Sequence, residues 1–399
     1  MRVCGVICEY NPFHKGHALH LARARALSGA DYVVCAMSGS VTQRGSFARH
    51  DKWTRAAMAL SCGCDLVLEL PARFSGAPAQ EFAAGGVHLL ASLGVVTHLS
   101  FGCEQESLPH LARAAMALSC ESTEFRQALR AHLDKGLPYP RARALAAQQA
   151  SGMDGLAEIA ARPNAALAME YLRALPEGIT PVPVAREGSG YHDASLGTLS
   201  SATAVRAALA RGDLSAAAAS VPCPEPLQDA EARGDVHEEE ALTQALLYRL
   251  RTMTAAELSE IAGMEEGLHH RFLAAAQTAE SRDALILAVK SKRYTYARLS
   301  RLCTNILLGV TQEFAQAHAA PTYARVLGFR REAQPLLRAI KQSASVPLVV
   351  KAADYDRADP LFALDVRAQD LWSLGCSSPA LRRSGRDFRT SPVGSYHEQ

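Results

Sequence analysis

The first hundred residues alternate between short apolar runs and segments of helical periodicity, and this alternation restricts the fold more than any other feature. The apolar runs are Val3–Cys8, Tyr32–Met37, Leu66–Leu70 and Val95–Phe101, and the helical segments between them are His17–Leu27, Lys52–Ser61 and Ala79–Leu93. Nearly continuous apolar runs separated by helices are typical of parallel strands covered on both faces. The sequence therefore predicts an α/β fold with a parallel sheet, whose ligands bind at the carboxyl ends of the strands.

The remaining chain predicts a fifth strand followed by a mainly helical region. The run Ile179–Ala185 is the fifth strand, and with the loop and helix after it we expect a first domain over residues 1–212. Residues 213–240, rich in Ala, Pro, Asp and Glu, are expected to be a linker. Residues 241–376 are predicted to form a mainly helical C-terminal domain. Residues 377–399 have little periodicity and are expected to be a disordered tail.

Composition excludes several classes of protein. The 399 residues carry 42 basic and 40 acidic side chains, so a uniformly basic nucleic-acid binder is excluded, although a local basic patch is not. No apolar stretch approaches the roughly 18 residues of a membrane span, so we expect a cytoplasmic protein with no membrane partner. Ten scattered cysteines without a CxxC pair indicate reduced thiols rather than disulfides or a protein-bound metal.

A histidine pair follows the first strand, in the segment EYNPFHKGH that spans residues 9–17. His14 and His17 flank Gly16 at the point where the strand turns into a helix. A helix N-terminus binds phosphate through its unpaired N–H groups, and imidazoles there can stabilise charge on phosphoryl oxygens. A zinc site would want another ligand nearby and lacks the glutamate of HExxH. Incidental surface histidines are the ordinary alternative, but the position after the first strand favours phosphate binding.

A second segment, SSATAVR at residues 200–206, begins a late helix. The hydroxyls of Ser201 and Thr203 and the guanidinium of Arg206 suit phosphate oxygens at a helix start. A plain N-cap is the alternative for this pattern. The presence of the histidine motif in the same chain favours the phosphate role.

The two motifs resemble the HxGH and ISSTxIR-like signatures of the nucleotidyltransferase superfamily, which implies a Rossmann-like nucleotidyltransferase domain. A longer series of segments, covering about residues 1–372, resembles the tRNA(Met) cytidine acetate ligase family. After EYNPFHKGH it comprises Met37–Gly45, Asp51–Leu60, Asp65–Pro71, Phe101–Glu104, Pro163–Leu172, Arg186–Asp193 and Arg293–Gly309.

The resemblance implies an enzyme that activates acetate with ATP to acetyl-adenylate. It would then acetylate N4 of the wobble cytidine (C34) of elongator tRNA(Met), giving N4-acetylcytidine. Ser40, Ser46, Phe47 and Cys103 depart from the family pattern, which affects substrate positioning after the second strand.

The resemblance also implies an ATP site. Its residues are Ile7, Glu9, Asn11, Phe13, His14, Gly16, His17, His20, Gly102, Asn164, Arg186, Ser201, Thr203 and Arg206. His14 and His17 are the catalytic pair, and Mg²⁺ is expected to accompany ATP, bound mainly by phosphates and water. A turn glycine, a helix cap and a surface arginine are the alternatives for Gly102, Asn164 and Arg186.

A basic segment in the C-terminal region is the candidate tRNA surface. Residues 290–301 hold five basic side chains, two tyrosines and no acid. The proposed tRNA contacts are Lys292, Arg293, Tyr294, Tyr296, Arg298 and Arg301, with bases stacking on the tyrosines and phosphates meeting the cations. A solvated helix face with half-buried tyrosines is the alternative. A second basic cluster, expected at the rim of the active site, consists of Arg44, Arg49, Lys52 and Arg55.

Two other functions remain open from the residues. An adenylyltransferase that makes a small nucleotide cofactor would share the HxGH turn but would not need the long helical region. A tRNA-binding protein with a vestigial nucleotide site is a different class. The presence of His14, His17, Thr203 and Arg206 argues against it.

Overall fold

The computed structural model describes residues 1–104, 107–185, 201–265 and 267–394. Within these ranges seven strands form one sheet in the order β5-β4-β1-β2-β3-β6-β7. They are β1 (Val3–Cys8), β2 (Tyr32–Ser38), β3 (Leu66–Leu70), β4 (His98–Cys103), β5 (Thr180–Ala185), β6 (Ala324–Phe329) and β7 (Leu348–Val349). The first five are mutually parallel, whereas β6 runs antiparallel to β3 and β7 runs parallel to β6.

Helices cover both faces of the sheet and make up most of the other regular structure in the described residues. In the first half they are α1 (Lys15–Ser28), α2 (Lys52–Ser61), α3 (Ala72–Ser75), α4 (Ala79–Ser92), α5 (Leu108–Ser119), α6 (Thr123–Asp134), α7 (Tyr139–Ser151), α8 (Leu156–Ala160), α9 (Pro163–Ala174) and α10 (Ala202–Ala210). In the second half they are α11 (Leu214–Ala219), α12 (Glu225–Arg233), α13 (Thr243–Thr252), α14 (Ala255–Ser259), α15 (Leu268–Ala275), α16 (Arg282–Val289), α17 (Tyr296–Leu308), α18 (Gln312–Ala317), α19 (Gln334–Ser343) and α20 (Pro360–Leu374). The predicted α/β class with a helical C-terminal part is confirmed. No helix in the described ranges has both the length and the apolarity needed to cross a membrane.

The sequence prediction of the strands was accurate for β1 and β3, and it missed β6. The segment ARVLGF of β6 is entirely buried and extends the sheet beyond β3. Its charged Arg325 obscured the strand pattern, because the sequence does not show that Glu69 lies 3.1 Å away to neutralise it. The region expected to be a separate helical domain therefore contributes two strands to the N-terminal sheet.

The structure also differs from the expected linker and disordered tail. Residues 213–240 include α11 and α12, whose Ala217 and Leu227 are fully buried against the face of the sheet that α1 and α2 cover. In the tail, Asp387 is buried, and Val393 accepts a hydrogen bond from Phe329 N and donates one to Leu327 O. Residues 395–399 lie outside the described residues. Composition misled here because burial of these segments depends on partners that are distant in sequence.

Candidate nucleotide site

A pocket of about 260 Å³ lies where β1, β4 and β5 end and α1 and α10 begin. It brings together twelve of the predicted ATP-binding residues: Ile7, Glu9, Asn11, His14, Gly16, His17, His20, Gly102, Asn164, Ser201, Thr203 and Arg206. Phe13 does not line the pocket, because it is fully buried and packs against Tyr10 and His17. Arg186 and the rest of the segment at residues 186–193 lie outside the described residues. The position is the one expected for ligands of open α/β sheets.

The two histidines are stacked at the N-terminus of α1, with 3.7 Å between ring centroids. His14 is the N-cap, and its Nδ1 accepts a hydrogen bond from Gly16 N at 3.1 Å. His17 Nδ1 accepts one from His14 N at 3.3 Å. Because both Nδ1 atoms act as acceptors, each neutral ring carries its proton on Nε2, the atom that can donate to an anionic oxygen.

Gly16 is required by this arrangement of rings. A Cβ added at this position would lie 2.9 Å from Cε1 of His14, closer than side chains normally approach. Any other residue would displace the His14 ring from the helix N-terminus. The glycine between the histidines therefore keeps the capping imidazole in place.

Arg206 connects the helix α10 to the turn after β1. Its guanidinium donates to Asn11 O at 2.5 Å and to the Thr203 hydroxyl at 3.3 Å. Ser201 is the N-cap of α10, with its hydroxyl accepting from Ala204 N at 3.1 Å. The capping alternative is thus realised for Ser201, while Thr203 and Arg206 still line the pocket beside it.

Asn164 is held by an acidic residue that the sequence analysis did not assign to the site. Glu104 accepts from the Asn164 side-chain amide at 2.7 Å and from the backbone N–H groups of Asn164 and Ala165 at 3.3 and 2.9 Å. Glu104 therefore caps α9 and fixes the Asn164 amide at the edge of the pocket. The sequence signal for this role of Glu104 is the presence of an acidic residue directly after β4, two positions after Gly102.

Glu9 is the one acidic side chain among the described residues that line the pocket. One carboxylate oxygen accepts from Gln43 N at 2.5 Å, which fastens the loop after β2 to the turn after β1. Burial raises the pKa of Glu9 above its ordinary value, and the positive charges of Arg206, Arg55 and Arg44 oppose that shift.

The second basic cluster does not form an exposed rim. Arg55 is fully buried and donates to the carbonyls of Glu9 and Ser38 at 2.7 and 2.8 Å. Lys52 is fully buried against Glu69, and Arg49 pairs with Glu231 at 2.7 Å. Arg44 alone of the four is exposed, and it lines the pocket. Arg49 and Arg55 hold the loop after β2, whereas Lys52 is paired with Glu69 on β3, so none of the three presents its charge to a ligand.

The predicted tRNA residues are divided between the surface and the interior. Tyr294 is only 5% exposed, so it differs from the expectation of a stacking platform, and the Arg298 guanidinium lies 5.2 Å from its ring centre. Tyr296 is 40% exposed and donates to Asp283 at 2.8 Å. Arg301 donates to Gln43 O at 3.2 Å, and burial lowers its pKa to about 10.

A second cavity, of about 900 Å³, separates the α6–α9 region from α17 and contains part of the basic segment. The arginines that line it are Arg73, Arg143, Arg293, Arg298 and Arg301. Lys292 is exposed on the loop before α17. Through its bond to Gln43, Arg301 joins this cavity to the loop that also lines the nucleotide pocket.

Comparison with known proteins shows similarity to one protein family along nearly the whole chain. Residues 1–387 match the family model described as HIGH Nucleotidyl Transferase. The tRNA(Met) cytidine acetate ligase of Acetivibrio thermocellus is 35% identical, covering 97% of this chain and 98% of that protein. The protein of the same name from Syntrophomonas wolfei is 36% identical, with coverage of 98% and 99%. Thermotoga maritima TmcAL bound with alpha-thio ATP superposes with a TM-score of 0.91 at 32% identity, over 98% of this chain and 99% of that one.

Proposed function

The chain belongs to the tRNA(Met) cytidine acetate ligase family of HIGH nucleotidyl transferases, and from this premise we propose a reaction in two steps. In the first step, acetate and ATP give acetyl-adenylate and pyrophosphate. In the second step, the acetyl group moves to N4 of the wobble cytidine (C34) of elongator tRNA(Met), giving N4-acetylcytidine. The stacked His14–His17 pair, with both Nδ1 atoms accepting backbone N–H groups, is the observation that carries this proposal.

The first step needs no nucleophile from the protein. A carboxylate oxygen of acetate attacks the α-phosphorus of ATP, and the bond to the bridging oxygen of pyrophosphate breaks. The protein contributes orientation and charge stabilisation, which are the main sources of catalysis in phosphoryl chemistry. The Nε2–H groups of His14 and His17 would donate to α- and β-phosphoryl oxygens. Thr203, Arg206 and the Ser201 helix start would hold the departing pyrophosphate.

Mg²⁺ would accompany ATP without a dedicated protein site. Among the described residues no group of three or more His, Cys, Asp or Glu side chains could hold a metal ion. Glu9 is the single carboxylate of the described pocket lining, and its Oε1 is bonded to Gln43 N. The phosphates and water would therefore supply most ligands of the ion. When bound, Mg²⁺ would neutralise part of the phosphate charge.

The second step requires tRNA to reach the same pocket. The cytidine amine attacks the acyl carbon, AMP leaves, and the amine gives up a proton. Lys292, Arg293, Tyr296, Arg298 and Arg301 remain the proposed tRNA contacts, with Tyr294 supporting them from the interior. The contact of Arg301 with Gln43 supports this assignment, because it places the basic segment against a loop that lines the nucleotide pocket.

Mass spectrometry of elongator tRNA(Met), incubated with the protein, ATP and isotopically labelled acetate, tests the proposal directly. We expect one labelled acetyl group on the anticodon fragment, and no product when ATP is omitted. Acetate-dependent exchange of pyrophosphate into ATP, measured without tRNA, isolates the first step. Adenylyl transfer to a small cofactor precursor without acetate dependence would instead support the cofactor-forming adenylyltransferase.

A further inference from the structure

Two cysteines far apart in the sequence meet on the face of the sheet opposite α4. Cys62 ends α2, and Cys223 lies between α11 and α12. Their sulfur atoms are 3.3 Å apart, within hydrogen-bond distance. Both side chains are partly exposed, so a small oxidant in solvent can reach them. Neither residue lines the nucleotide pocket.

We propose that Cys62 and Cys223 form a modification site, a dithiol that a hydroperoxide oxidises to an intramolecular disulfide. The proposal goes beyond the acetyl-transfer function and does not depend on it. It rests on the proximity of the two sulfur atoms and on their shared access to solvent. Bond formation requires the sulfur atoms to move closer by a little over 1 Å, a distance that side-chain rotation can supply.

The surroundings assign different roles to the two thiols. The hydrogen bond from the Cys223 thiol lowers the pKa of Cys62, and the same interaction raises the pKa of Cys223. Since the thiolate is the nucleophile, Cys62 reacts first and Cys223 resolves the product. Cys64 does not compete, because it is fully buried, burial raises its pKa, and its thiol donates to Leu66 O.

The oxidation balances with the hydroperoxide as the oxidant. The Cys62 thiolate attacks one peroxide oxygen, the O–O bond breaks, and a sulfenic acid forms while water or an alcohol leaves. The Cys223 sulfur then attacks the Cys62 sulfur, the S–S bond forms, the S–O bond breaks, and water leaves with the proton of Cys223. Two electrons pass from the sulfur atoms to the peroxide, and an external dithiol reverses the change by exchange.

The disulfide would join two segments that are 161 residues apart in sequence. Cys62 ends the helix that carries Lys52 and Arg55. Cys223 lies three residues after Ser220. The Ser220 carbonyl accepts a hydrogen bond at 3.1 Å from the backbone N–H of Lys15, the residue next to His14 in the sequence. Closing so long a loop restricts the unfolded chain, so the oxidised protein should be the more stable form.

The test uses the full-length protein treated with hydrogen peroxide, quenched with an alkylating reagent and digested for mass spectrometry. We expect a peptide pair linked through Cys62 and Cys223, lighter than the two separate peptides by two hydrogen atoms and lost on reduction. Without reductant, the oxidised protein should melt at a higher temperature than the reduced protein. Cys223→Ser and Cys62→Ala should each abolish both the linkage and the increase in melting temperature.

Cys120 provides the matched control, because it is an exposed cysteine remote in sequence from both partners. Cys120→Ser should leave the linkage unchanged, and in the wild type the oxidation of Cys120 reports the peroxide dose. The proposal is overturned if Cys62 and Cys223 stay reduced at a dose that oxidises Cys120. It is equally overturned if they become separate sulfinic acids, or if Cys62 links to Cys64. If either variant is unstable, the other still decides the outcome.

Discussion

The Nδ1 atom of His14 caps α1, and its Nε2 is the atom that we propose donates to a phosphoryl oxygen. An alanine substitution would remove both, so loss of activity could reflect loss of the cap. Asparagine separates them: its side-chain oxygen is a good N-cap acceptor for Gly16 N, but it places no donor at the position of Nε2.

We therefore predict that His14→Asn folds with near-native stability and loses about 10²–10³-fold in acetate-dependent ATP–pyrophosphate exchange, the usual cost of removing one preorganised donor. His17→Ala should lose exchange to a similar degree. Filter binding should show tRNA affinity close to that of the wild type for both variants. Exchange at the wild-type rate in either variant would remove that histidine from phosphate contact.

Glu9 gives a residue-scale prediction about pH. Burial raises its pKa in the folded protein, so its contribution to stability is largest in acid and is lost as pH rises through the folded-state pKa. Glu9→Gln removes this ionisation and keeps an acceptor for Gln43 N. The variant should therefore gain in melting temperature relative to the wild type as the pH is raised from 4 to 8.

The exposed Glu177 supplies the control for Glu9. Glu177→Gln should change the melting temperature only slightly. A difference between Glu9→Gln and the wild type that does not vary with pH would mean that ionisation of Glu9 costs the folded protein nothing.

At the scale of elements, the sequence located the turn between β1 and α1 but did not predict which side chains within an element are buried. That turn could be placed because His14, Gly16 and His17 lie within one helical turn at the start of α1. Tyr294 and Tyr296 lie two residues apart in the same basic segment, yet one is buried and the other exposed. Charge pattern alone does not determine which ring faces the core, since that depends on how α17 and the loop before it pack against their neighbours.

The loop before α17 provides the element-scale prediction. Arg293→Ala should weaken tRNA binding and reduce the slope of log affinity against log salt concentration by about 1, as expected for one lost phosphate contact. Acetate-dependent ATP–pyrophosphate exchange should be unchanged. Arg338→Ala, which removes an exposed arginine from α19, is the control and should leave both quantities at their wild-type values. An unchanged salt slope in Arg293→Ala would show that this arginine does not meet phosphate.

At the scale of the whole molecule, an N-terminal and a C-terminal part of the chain meet in a buried charge cluster. Asp387 lies 2.7 Å from Lys52 and 2.6 Å from Arg325, and Glu69 completes the cluster at 2.7 Å from Lys52. The sequence did not reveal this arrangement, since its members come from α2, β3, β6 and the C-terminal segment. Such long-range pairing explains why the tail was expected to be disordered and why β6 was missed.

The cluster predicts that the C-terminal segment is part of the folding unit. Asp387→Asn removes one carboxylate while Lys52 and Arg325 stay buried, so it should cost roughly 3–5 kcal/mol in the free energy of unfolding, measured by urea denaturation. Burial favours the neutral form of Asp387, but Lys52 and Arg325 outweigh it and lower the pKa of this carboxyl. The stabilisation they provide is present at neutral pH and lost as pH falls through the folded-state value. The difference between wild type and Asp387→Asn should therefore shrink in acid. Asp154→Asn, at an exposed position, should cost little in the free energy of unfolding. An Asp387→Asn variant as stable as the wild type at neutral pH would mean that the ion pairs of Asp387 do not stabilise the fold.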